Sequence, residues 1–76
     1  MKDGNQFIIC TVESLLEVLD ARANIDIFVL KEDGTNERIA SRKVYEVLND
    51  REFFSEYGRR CVIGISRALN ITNVLI

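Results

Sequence analysis

Ile25-Asp26-Ile27-Phe28-Val29-Leu30, then Lys31-Glu32-Asp33-Gly34-Thr35-Asn36, then Glu37-Arg38-Ile39-Ala40, decides the fold of this 76-residue chain. The first six residues read as a buried strand, because β-branched and aromatic side chains fit a pleated, packed surface. Gly34 follows an aspartate and supplies the positive φ of a tight hairpin turn. Glu37 to Ala40 returns as a short, mostly polar strand, and short polar strands belong at sheet edges.

Outward from this hairpin, each side carries a helical pattern and then another apolar run. Upstream, Val12, Leu15, Leu16 and Leu19 recur at i, i+3, i+4, i+7, with Glu13, Glu17 and Asp20 facing away. Thr11 is the N-cap of this helix and Asn24 a left-handed terminator. Phe7 to Thr11 ahead of it reads as a strand. Downstream, Ser41 caps a second helix carrying Val44, Val47 and Leu48. Asn49-Asp50 breaks it and caps a further helical turn or two over Arg51 to Tyr57, with Gly58 as the stop. Cys61 to Ile65 reads as a strand, Ser66 to Asn70 as a connection and Ile71 to Ile76 as a last strand or packed tail. The order is β-α-β-β-α-β with an extra C-terminal element. That is an α+β two-layer sandwich: a mixed sheet of four to five strands, helices on one face, the Ile25 strand interior and the Glu37 strand at the rim.

Composition narrows the function. Hydrophobic residues make up 47% of the chain and charged residues 29%, so a single packed domain is expected. No run approaches the roughly 20 apolar residues of a membrane span, and the uncharged stretch Phe7–Thr11 is too short for a signal peptide, which points to the cytosol. There is no histidine, which removes His-based acid/base chemistry, the Ser-His-Asp and Cys-His pairings and the usual zinc sites. The four glycines stand alone, so there is neither a P-loop nor a dinucleotide fingerprint, and the hairpin acids lack calcium-loop spacing. Cys10 and Cys61 sit in apolar runs, where cysteine acts as a small hydrophobe. The expectation is a non-enzymatic protein without metal or cofactor.

Two surfaces remain. The strands are apolar on both faces, whereas a solvated face would show polar alternation. Ile8, Cys10, Phe28 and Leu30 therefore form a candidate protein interface, covered by a second copy of the chain or by a protein partner. The alternative is nucleic acid. Residues 1–37 carry three basic and eight acidic side chains, and residues 38–76 seven basic and four acidic. If Arg38, Arg42, Lys43, Arg59, Arg60 and Arg67 converge, they make a phosphate-binding patch. A chain of this size fits bacterial regulators and small phage or mobile-element proteins that bind host machinery.

Overall fold

The computed structural model describes residues 10–76. In chain order it contains α1 (Val12–Val18), β1 (Asn24–Leu30), β2 (Asn36–Lys43), α2 (Val44–Leu48), α3 (Arg51–Tyr57), β3 (Gly64–Ala68) and β4 (Ile71–Leu75). The four strands form one mixed sheet in the order β2-β1-β4-β3. β1 pairs antiparallel with β2 and parallel with β4, and β3 pairs antiparallel with β4. This is the expected α+β sandwich, with four strands among the described residues and the expected first strand, Phe7–Thr11, falling mostly outside them.

Alternation in the two central strands places the core. Ile25 and Ile27 of β1 stand beside Thr72 and Val74 of β4, and all four are buried. Ile76 continues the parallel ladder: its N–H donates to Phe28 O at 2.8 Å, and its carbonyl accepts from Leu30 N at 2.9 Å. Ala40 of β2, Val12 and Leu16 of α1, Val44 and Val47 of α2, and Phe53 of α3 complete the cluster, so all three helices lie on this one side.

The helices are short, and their free N-terminal amides find partners in the tertiary structure. Thr11 caps α1 through a reciprocal pair with Ser14. The amides of Val12 and Glu13 donate to the carbonyls of Arg60 and Gly58, at the exit of α3. The amides of Val44 and Tyr45 donate to Ala23 and Ala21, in the loop that leaves α1. Asp50 caps α3 by accepting from Phe53 N at 3.0 Å.

Several local expectations are corrected. Ser41 does not cap α2: β2 runs on to Lys43, and the Ser41 hydroxyl donates instead to Asp26 at 2.8 Å. Asn24 is the first residue of β1 rather than a left-handed terminator, because pairing with Lys43 and Ile71 holds it extended. The strand that follows α3 is Gly64–Ala68, not Cys61–Ile65, since the partner β4 sets its bounds. Ser66–Ala68 therefore belongs to that strand, and only Leu69 and Asn70 connect it to β4. Both have positive φ, 53° and 66°, as a two-residue type I′ hairpin requires. The Phe53–Phe54 segment packs on the helix side of the sheet and does not cross to the other face.

Gly34 has the positive φ expected of it, 88°. Gly58 stops α3 for a different reason: its φ of −58° is helical, but a Cβ there would lie 2.7 Å from Phe54 O and 2.8 Å from Phe54 Cδ1. Gly58→Ala is thus expected to cost about 1–3 kcal/mol by overpacking, despite alanine's better helix propensity. Unchanged urea unfolding would contradict it. Leu69 is 93% exposed and buries nothing, yet its left-handed backbone carries a Cβ penalty of about 1–2 kcal/mol. Leu69→Asn is expected to relieve part of this and raise the melting temperature by a few degrees.

Candidate interaction surface

The alternation that buries Ile25 and Ile27 sends Asp26, Phe28 and Leu30 to the opposite face of β1. The parallel register puts Asp26 beside Asn73 and Phe28 beside Leu75. Ile71 shares the Asn73 and Leu75 face, as do Gly64, Ser66 and Ala68 of β3, their antiparallel partners. None of the large apolar residues here (Phe28, Leu30, Ile71, Leu75) belongs to the core cluster or packs against it. Among the described residues, this face has no helix over it.

Its centre is a shallow depression of about 460 Å³, lined by Phe28, Asn36, Gly64, Ser66, Asn73 and Leu75 among others. Its β2 side is polar and internally paired. Asp26 accepts from the Ser41 hydroxyl and lies 3.6 Å from Arg38 Nη1. Lys43 Nζ donates to Asn24 Oδ1 at 3.1 Å and to the Arg22 carbonyl at 3.4 Å. A bulge contributes here: Ile27 pairs with Ala40 and Phe28 with Arg38, which leaves Ile39 as an extra residue on β2.

Of the four interface residues expected from sequence, Phe28 and Leu30 lie on this face, with Leu30 40% exposed. Ile8 falls outside the described residues. Cys10 lies just before α1, half-buried, and its carbonyl accepts from Val62 N at 2.9 Å. Ile71 and Leu75 were missed, since a terminal apolar run gives no sign of whether it joins a sheet or covers one. The expectation of two fully apolar faces is also corrected: Asp26, Ser41, Ser66 and Asn73 make this face mixed.

The six basic residues do not gather into one patch. Arg38 and Lys43 sit on the open side of β2, both partnered. Arg42 turns to the helix side, where its guanidinium bonds Asp50. Arg67 is on β3, at the other edge of the sheet, three strand spacings or roughly 14 Å away. Arg59 and Arg60 follow α3, near Phe54, Ser55 and Glu56, with the Arg60 guanidinium 6.0 Å from the Tyr57 ring centroid.

The cysteines are both free, and Cys61 is exposed rather than set inside a strand. Thr11 and Cys61 oppose each other across an antiparallel bridge, so Cys10, one residue earlier, points to the opposite side from Cys61. Among the described residues there is no group of three or more His, Cys, Asp or Glu placed to hold a metal ion, and no helix long and apolar enough to cross a membrane. No protein family, no curated protein and no solved structure matches this chain.

The Arg42–Asp50 pair has a consequence for pH. The Arg42 hydrogen bond, helped by the Phe53 amide, holds the Asp50 carboxyl below its ordinary 3.8. A depressed carboxylate stabilises the fold above its unfolded pKa, and that stabilisation is lost as pH falls through the folded value. Asp50→Asn is therefore expected to lower the melting temperature at pH 7 and to shrink the further loss seen below about pH 4. Parallel melting curves for the two proteins between pH 7 and pH 2 would contradict this.

Proposed function

We propose that the chain is a small non-enzymatic interaction module of the cytosol that pairs with a second copy of itself through the open sheet face. The observation that carries this reading is one-sided packing. Three helices cover one face, while Phe28, Leu30, Ile71 and Leu75 stand on the other, outside the core. A two-fold axis through this face would set the Phe28–Leu75 strip of each copy against the other, an isologous contact. The mixed character of the face supports association rather than aggregation, since Asp26, Arg38 and Ser41 form a paired polar border along its β2 side.

Magnitude sets the strength. Four strands across and five residues along give a patch of roughly 14 by 17 Å, about 240 Å² per copy in projection and below the roughly 1,000 Å² total of a stable specific interface. The dimer should be weak, in the micromolar range or above. Light scattering coupled to size exclusion is expected to show the mass rise from one chain towards two as concentration increases, with little response to salt. Phe28→Asp should hold the protein monomeric while leaving its thermal unfolding cooperative. A monomer at every concentration, or a Phe28→Asp protein that no longer folds, would remove the reading.

Nucleic acid through the arginines is the second reading, and the split of those residues between the two sheet edges and the α3 exit gives it less support. It requires binding that falls steeply with salt and that drops on replacing Arg59 and Arg60 by alanine.

A further inference from the structure

The hairpin that carries β1 into β2 contains a reactive dipeptide. Asp33 is followed by Gly34, and both stand exposed in the loop Glu32-Asp33-Gly34. Lys31 N donates to Thr35 O at 2.8 Å across this loop, and Gly34 N donates to Lys31 O at 3.0 Å. Gly34, with its φ of 88°, fills the left-handed position that ends such a loop. Because glycine has no Cβ, nothing on that residue screens its peptide nitrogen from the carboxyl of the aspartate before it.

The reaction open to such a pair is ring closure. Gly34 N bonds to Cγ of the neutral Asp33 acid, and the Cγ hydroxyl leaves with the amide proton as water, giving a cyclic imide. Water then adds to the imide. When it breaks the bond between the nitrogen and the main-chain carbonyl carbon of Asp33, the chain continues through Cβ and Cγ, and the residue is isoaspartate. Mass is unchanged, one oxygen has come from solvent, and water is the only co-reactant. The product lengthens by one carbon the loop that sets Leu30 opposite Asn36, and loop length fixes the register of a hairpin.

The folded loop restrains both reacting groups. Asp33 Oδ1 accepts from Thr35 N at 2.9 Å and from the Thr35 hydroxyl at 2.6 Å. The hydroxyl bond first, and the amide bond second, hold the carboxyl below its ordinary 3.8, so the neutral acid is scarce at neutral pH. The Gly34 N–H is committed to the Lys31 carbonyl, and the nitrogen must release that bond before it attacks.

We propose that Asp33–Gly34 is an isoaspartate-forming modification site and that Thr35 is the latch that sets its rate in the folded chain. The inference is independent of the open-face dimer.

Ageing the full chain at neutral pH in water labelled with heavy oxygen tests it, since each ring opening leaves one solvent oxygen on the residue. Trypsin cuts after Lys31 and Arg38 and so isolates Glu32–Arg38, in which Asp33 is the only aspartate. Fragmentation of that peptide assigns the label to Asp33 rather than Asn36. Thr35→Val removes the hydroxyl and keeps the amide and the β-branched shape, and is expected to raise labelling at Asp33 about tenfold. Thr35→Ser keeps the hydroxyl and should label at the unaltered rate. Equal labelling of the unaltered and Thr35→Val proteins would overturn the latch, and no label at Asp33 in the chain unfolded in urea would overturn the site. Cooperative urea unfolding reports whether each variant is folded. If Thr35→Val is not, the unaltered chain with and without urea decides, and equal rates there would overturn the proposal.

Discussion

The parallel pairing of β1 with β4 is the contact on which the rest of this structure depends. Parallel neighbours cannot be joined by a tight turn, so the chain must leave β1, travel and re-enter from the same end. Everything between Leu30 and Ile71 is that journey: out to the β2 edge, over one face through α2 and α3, and back along β3. Because the route crosses only one face, α2 and α3 gather there, and α1, which precedes β1, packs on the same side. The buried residues of the two central strands, Ile25, Ile27, Thr72, Val74 and Ile76, are then the floor on which that layer rests.

The helical layer could not stand without this floor. Helices of seven, five and seven residues lie well below the length at which isolated helices hold together in water. Tertiary bonds to their first amides replace what length does not supply. The exit of α3 caps α1, the exit of α1 caps α2, and Asp50 caps α3 while holding Arg42 of β2. Each terminus is thus a partner in another element's stability, and loss of one helix leaves unpaired amides on its neighbour.

Features encoded within one element were legible in the sequence, and features set by a partner were not. α1 could be read from Val12, Leu15 and Leu16, the hairpin turn from Asp33-Gly34, and α3 from its flanks at Asp50 and Gly58, because cap, spacing and turn chemistry act over three or four residues. The extension of β2 through Ser41–Lys43 could not: a serine before an apolar helical stripe favours a cap, and only the opposing Asp26 and Ile25 draw it into the sheet. The position of β3 was hidden likewise, since Cys61-Val62-Ile63 has the more strand-like composition while β4 selects Gly64–Ala68. For the candidate surface, Phe28 and Leu30 were visible by alternation. Ile71 and Leu75 became visible only when their strand was placed in the middle of the sheet.

The direction of the central strands also settles how the molecule bears load. Tension applied through the residues before β1 and after β4 pulls the two neighbours from opposite ends. Their ladder is then sheared along its length, with its bonds from Asn24 to Leu30 stressed together rather than opened one by one. Antiparallel β3 and β4, joined by Leu69-Asn70, would peel like a zipper under a pull across their open end. The same small sheet is therefore stiff along one line and yielding along another, and the parallel pair is its mechanical clamp.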